Sequence, residues 1–209
     1  MNSLDDKAAN LLRAGELLAQ AAGEGAKLAL LPENFAYMGS GDAAKRAAAE
    51  CEADSYVLAF LADKAARLNI FIIGGSVALR DEGSDKLRNH CPVFAPSGEC
   101  IGGYDKIHLF DADAGGECYR ESDLMSPGSS PEQVEADAWR IGLSICYDIR
   151  FPELYRHYSA AGCGILSIPA AFTASTGRAH WEVLLRARAI ENQCYALAAG
   201  QTGMHPGGR

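Results

Sequence analysis

Three residues each stand where a hydrophobic run ends, and their types suit nucleophilic chemistry. Cys146 closes the apolar stretch Ile141 to Ile145 within GLSICYDIRFPE, residues 142–153. A helix is expected a few residues later, so the thiol would sit near backbone N–H groups and a positive helix end. Both favour the thiolate, the reactive form of cysteine, and the same N–H groups could stabilise an oxyanion. Glu33, in LLPENF, ends a second hydrophobic strand. A partly desolvated carboxylate there makes a competent general base. Lys106, in YDKIHLF, ends an alternating strand, from which an ammonium could hold a carboxylate or polarise a carbonyl oxygen. Each residue alone also has an ordinary reading: a buried structural cysteine, a turn cap, a solvated lysine.

The elements that must position these residues follow from periodicity. Ser3 with Asp6 three residues on resembles a capping box, and Leu4, Ala8, Leu11, Leu18 and Ala21 recur at helical spacing until Gly23 and Gly25. Residues 28–31 read as a short buried strand ending at Pro32, and 42–68 as one or two helices with a break near Asp54. Residues 70–73 form a strand before Gly74-Gly75. Residues 89–95 and 100–106 flank Pro96-Ser97-Gly98-Glu99, which predicts a hairpin. Residues 108–132 read as irregular. Strands are expected at 141–145, 165–168 and 195–199, and helices at 151–161 (Pro152 in its first turn) and 180–192. This order gives an α/β fold with helices covering sheet. Alternation alone would suggest a doubly wound sheet; the hairpin argues for a mixed or antiparallel arrangement.

Composition narrows the class. The 209 residues suffice for one domain with a full core. Lys plus Arg number 19 against 27 Asp plus Glu, a net charge of −8, and no basic tract gathers the positive charge. A nucleic-acid partner is therefore not expected. No apolar run approaches bilayer length and no signal-peptide layout is present, so no membrane association and a cytoplasmic location are expected. The seven cysteines, Cys51, Cys91, Cys100, Cys118, Cys146, Cys163 and Cys194, are an odd set that argues for free thiols. Their spacing lacks the pairs that hold zinc, so no metal is expected.

Three strings in order, LPENF at Glu33, YDKIHLFD at Lys106 and GLSICYDIRFPELYR at Cys146, resemble the signatures of the nitrilase superfamily of carbon–nitrogen hydrolases. AHWEVLLRARAIENQCYALAAGQTG, from Ala179 to Gly203, is similar to the family as well. The resemblance covers nearly the whole chain and implies one carbon–nitrogen hydrolase domain over residues 1–209. The implied fold is a four-layer α-β-β-α sandwich. It implies Cys146 as nucleophile, Glu33 as general base, Lys106 as the cation that stabilises the tetrahedral intermediate, and Glu121 as a second glutamate beside the lysine and the substrate. It implies no cofactor. Tyr147, Phe172, Thr173 and Thr176 are candidate substrate-binding residues, while Arg150 and Glu153 are expected to brace the turn after Cys146. A Cys–His pairing with His108 or His180 is the weaker alternative.

Within the superfamily, YDKIHLFDAD, FPELYR, AAFTASTGRAHWE and RARAIENQCY are most similar to the deaminated glutathione amidases, with the omega-amidases, which act on 2-oxoglutaramate, as the alternative branch. The implied partner is a small amide, and the implied assembly a homodimer of the full-length chain. Relative to the family pattern, the chain is expected to lack a strand before its first helix and a segment after Arg209, so it reads as truncated at both ends. The contrasting expectation is an inactive fragment or a non-catalytic protein that assembles only with a partner.

Overall fold

The computed structural model describes residues 1–81, 83–114 and 117–206. In chain order the elements are α1 (Lys7–Gly23), β1 (Leu28–Leu30), α2 (Asp42–Ala48), α3 (Tyr56–Leu68), β2 (Phe71–Ile73), β3 (Val77–Arg80), β4 (Leu87–Phe94), β5 (Cys100–Asp105), β6 (Asp111–Ala114), β7 (Glu117–Arg120), β8 (Met125–Ser126), β9 (Gln133–Ala136), β10 (Trp139–Leu143), α4 (Pro152–Ala160), β11 (Ile165–Ala170), α5 (Ala174–Asn192) and β12 (Tyr195–Gly200). Short 3-10 turns cover Glu52–Asp54, Glu121–Asp123 and Cys146–Arg150.

Two sheets carry the architecture. The first runs β1-β2-β4-β3, with β5 and β8 also paired to β4. The second runs β12-β11-β10-β9; its first three strands are parallel, and β9 lies antiparallel to β10. The order is therefore not that of one doubly wound sheet, because the β4–β5 hairpin and the β9–β10 hairpin turn the chain back within each sheet.

Burial divides into layers that follow the sheets. Leu11, Ala14 and Leu18 of α1 and Val57 and Leu61 of α3 pack against Ile72, Val77 and Leu79 of the first sheet. Ile73, Cys91, Val93 and Tyr104 of that sheet meet Val134, Ile141, Leu143 and Ile145 of the second. Leu154, Tyr155 and Tyr158 of α4 cover Leu166 and Ile168 on its far side, with Trp181, Leu184 and Leu185 of α5 alongside. Helix, sheet, sheet, helix is the four-layer sandwich, each apolar face buried against the next.

Several local expectations need correction. The first helix is capped by Asp6, whose carboxylate accepts from Ala9 N at 3.0 Å; Ser3 is fully buried and instead donates from its hydroxyl to Phe35 O at 2.8 Å. Residues 108–132 are not irregular throughout. They hold the β6–β7 hairpin, a 3-10 turn and β8, which weak apolar patterning in DADA and ECYR concealed. The last helix begins at Ala174 rather than residue 180, because Thr173 caps it. The break near Asp54 and the β4–β5 hairpin lie where the sequence put them.

Candidate active site

Four side chains meet where the ends of the two sheets adjoin. Glu33 follows β1 by three residues and is 4 % exposed; Lys106 follows β5 directly and is 2 % exposed. The Lys106 ammonium donates to Glu33 Oε1 at 3.1 Å and to Glu121 Oε1 and Oε2 at 3.1 and 2.9 Å. Its three donors are thus directed at two carboxylates. Glu121 is held by the Phe110 N–H at 2.6 Å. The second Glu33 oxygen, Oε2, accepts from Ala171 N at 2.8 Å, just past β11 of the other sheet. The Cys146 thiol lies close enough to the Glu33 carboxylate, the Lys106 ammonium and the Ala171 N–H for each to act on its ionisation.

Local structure explains each placement. Leu31 N–H bonds Ile73 O at 3.1 Å, which carries the β1–β2 pairing up to the glutamate. Gly75 has φ +60°, and a Cβ there would land on the carbonyl oxygens of Leu31 and Pro32, so only glycine lets the chain pass under Glu33. Lys106 N–H bonds Asn89 O at 3.0 Å, extending the β4–β5 ladder by one step. Cys146 itself has φ +50°, a left-handed conformation that costs energy for a side chain and clusters at functional sites. It opens the 3-10 turn between β10 and α4, and Pro152 then starts α4 with no side-chain cap.

Asp148 holds that turn. It is fully buried. One oxygen accepts from Ile145 N and Tyr104 OH, both at 2.8 Å; the other accepts from His108 N at 3.0 Å and faces His108 Nδ1 at 2.7 Å. One carboxylate therefore ties the residue before Cys146 to the segment after Lys106. Sequence reasoning passed over Asp148; the signal was an acidic residue two places beyond the cysteine in an otherwise apolar context. Asn89 was also missed. It donates from Nδ2 to Glu33 Oε1 at 3.1 Å and to Glu121 Oε1 at 3.3 Å.

Burial alone would push the Glu121 carboxyl up, but the charge and hydrogen bond of Lys106 outweigh it and hold the group below its ordinary 4.5. Burial would lower Lys106 in the same way; Glu121 and then Glu33 raise it well above 10.5. Cys146 goes opposite to the sequence expectation of a stabilised thiolate. Burial first, then the negative Glu33, push the thiol well above 9.0, and Lys106 only partly offsets them. Cys146 is half-buried beside Glu33, and the balance of these effects favours the neutral thiol.

The four remaining candidates stand farther out. The Tyr147 ring touches Phe110 at 5.0 Å and Phe151 at 5.6 Å between centroids, with the Arg150 guanidinium 5.7 Å above it. Arg150 also lies over Phe172, which packs on Trp181. Thr173 and Thr176 bond each other at 2.7 Å as part of the α5 cap. A concavity of about 250 Å³ is lined by Phe172, Thr173 and Gln201 among others. A larger one, about 520 Å³, reaches from Glu33, Asn89, Glu121 and Ala171 out to Lys7, Lys45 and Glu50. The two flank Ala170–Ala171, and neither has Cys146 or Lys106 in its lining. His108 stacks on Phe151 at 3.6 Å and bonds Asp148, and His180 meets Arg150, so each histidine has its own partner away from the thiol.

The profile of the carbon–nitrogen hydrolase family matches residues 1–209, and the chain belongs to that family, the nitrilase superfamily. It is 42 % identical over 210 residues to the deaminated glutathione amidase of Synechocystis sp. (strain PCC 6803 / GT-S), covering 98 % of this chain and 76 % of that protein. It is also 42 % identical over 194 residues to omega-amidase NIT2 of Danio rerio, covering 92 % and 69 %. Among solved structures, the C. elegans NitFhit protein superposes with a TM-score of 0.91 at 35 % identity, over 100 % of this chain and 51 % of that one. Saccharomyces cerevisiae Nit3 gives 0.86 at 32 %, over 96 % and 72 %. The enzyme is a carbon–nitrogen hydrolase, with no helix among the described residues long and apolar enough to cross a membrane.

Proposed function

We propose that residues 1–209 act as one catalytic domain that hydrolyses deaminated glutathione to 2-oxoglutarate and cysteinylglycine through a thioester on Cys146. The observation that carries this is the convergence of two carboxylates and one ammonium within hydrogen-bonding distance, with the Cys146 thiol close enough for Glu33 and Lys106 to act on its charge. Cys146 attacks the amide carbonyl carbon as its proton passes to Glu33. Lys106 stabilises the oxyanion that forms, with Glu121 fixing the lysine. The C–N bond breaks as Glu33 returns the proton to the leaving amine, leaving the thioester. Glu33 then takes a proton from water, the hydroxide adds to the thioester, and the acid is released with the thiol restored. Tyr147, Phe172, Thr173 and Thr176 are assigned to the walls that receive the substrate.

The choice of substrate is supported by the two concavities, of about 520 and 250 Å³, that flank Ala170–Ala171, one reaching out from Glu33 and Glu121 and the other lined by Phe172 and Thr173. Deaminated glutathione releases a dipeptide and needs such room; 2-oxoglutaramate releases only ammonia. The working assembly in this reading is a homodimer of the full-length protein, supported by the exposed apolar residues Val183, Ile190 and Tyr195 around α5 and β12.

The test is 2-oxoglutarate release from deaminated glutathione and, separately, from 2-oxoglutaramate, by the wild type and by Cys146→Ala. We expect release from both substrates, faster from deaminated glutathione, and none from the variant. Release that persists in Cys146→Ala would sink the thiol mechanism. A higher rate with 2-oxoglutaramate would move the enzyme to the omega-amidase reading.

A further inference from the structure

The least explained group of the site is Asn89. It lies on β4, 2 % exposed, and its Oδ1 is buried without a hydrogen-bond partner among the described residues. A buried orphan acceptor costs stability, and native chains keep few of them. An apolar side chain of the same shape would remove that cost, so packing alone gives no reason for an amide here. The reason lies at the other end of the side chain. Nδ2 carries two N–H donors and no charge, and its two partners are the carboxylates of Glu33 and Glu121. Lys106 cannot supply these bonds as well, since its ammonium already serves Glu33 Oε1 and both oxygens of Glu121. A second cation would bind the base too firmly for it to take a proton, and a third carboxylate would repel it. A neutral group with two donors avoids both.

The two oxygens of Glu33 are thereby made unequal. Oε1 accepts from Lys106 and Asn89, while Oε2 accepts from Ala171 N–H, the same N–H that acts on the ionisation of the Cys146 thiol. We propose that Asn89 is a positioning residue for the general base. It ties Glu33 through Oε1, so that Oε2 is left to exchange the proton with Cys146, and it holds Glu121 in line with the same amide. This rests on reading Glu33 as the base. The titratable groups facing Glu33 are Lys106 at the end of β5, Glu121 in the 3-10 turn and Cys146 in the turn after β10; Lys7, Glu50 and His205 line the cleft farther out.

The experiment is the pH profile of kcat/KM for Asn89→Leu and Asn89→Ser, using the amide that the wild type turns over faster, with Tm recorded for each. Each carboxylate loses one donor to its charged form, a loss that raises a carboxylate pKa. The acid limb should therefore move up by about one pH unit, with kcat reduced and KM unchanged, since Asn89 acts through Glu33. A folded variant whose acid limb stays at the wild-type pH overturns the proposal, as does a raised KM with an unmoved limb. Failure of both variants to fold also overturns it, because the amide would then be a structural need. Failure of the underlying reading has a different signature: Glu33→Gln would leave turnover intact.

Discussion

The pairing of Cys146 with Glu33 decides how the thiol can react. Burial and the Glu33 charge push the thiol up, so in the proposed mechanism the thiolate forms only as the proton moves to Glu33 with substrate in place. Replacing Glu33 with Gln separates two effects that usually travel together. Turnover should fall about 10²–10⁴-fold, the ordinary worth of a positioned base. Yet the thiol, freed from a neighbouring negative charge, should ionise at lower pH. Its alkylation by iodoacetamide, followed against pH, should shift toward acid in Glu33→Gln. A profile that shifts toward base, or not at all, would show that Glu33 does not face the sulfur. The residue scale was also where the sequence spoke most clearly. Glu33, Lys106 and Cys146 each end an apolar run, a position visible without coordinates. Asn89 sits within β4 between Arg88 and His90, and nothing in LRNHCPVF distinguishes a functional amide from a tolerated one.

Among the elements, the 3-10 turn after β10 carries the most constraint. Cys146 holds a strained left-handed backbone, and such a conformation persists only when its surroundings over-determine it. Asp148 supplies that constraint through bonds to Ile145, Tyr104 and His108. Asp148→Asn keeps the shape but turns a donor toward groups that need an acceptor. It should cost about 1.5–3 kcal/mol in denaturant unfolding. It should also lower kcat in the folded protein, because the turn and the Lys106 strand lose their shared anchor. Unchanged kcat with reduced stability would confine Asp148 to the fold. Element boundaries were legible where chemistry marks them, as at Pro152 and at the Pro96–Glu99 turn. They were obscure where tertiary partners decide them. The β6–β7 hairpin is mostly polar, and β9 is read as strand only because β10 lies beside it.

At the scale of the molecule, the reactive set straddles two sheets. Glu33 and Lys106 extend strands of the first, while Cys146 and Ala171 extend strands of the second. The layer between them, with Val93 and Ile141 fully buried, therefore sets the distance between Glu33 and Cys146. Ile141→Ala should cost about 2–5 kcal/mol and also reduce kcat of the folded enzyme. Leu18→Ala, in the layer between α1 and the first sheet, should cost a similar amount and leave kcat at the wild-type value. Equal losses of kcat in both variants would mean that the inter-sheet layer has no special hold on the site. The α/β class and the presence of a hairpin were readable from the chain. The division into two sheets was not, because short strands of three to five residues such as β1, β2 and β10 do not reveal their neighbours.

Glu33 is made early and completed late. Its carboxylate waits for the amide of Ala171, and its carbonyl oxygen for the side chain of Gln201, which bonds it at 2.9 Å and Ser3 Oγ at 2.8 Å. A ribosome must therefore add about 140 residues after the glutamate before Ala171 can reach it, and about 170 before Gln201 can, contacts 138 and 168 positions away. Until Cys146 and Ala171 have been added, Glu33 has no thiol beside it, and the bonds that fix the glutamate close only once β12 has delivered Gln201.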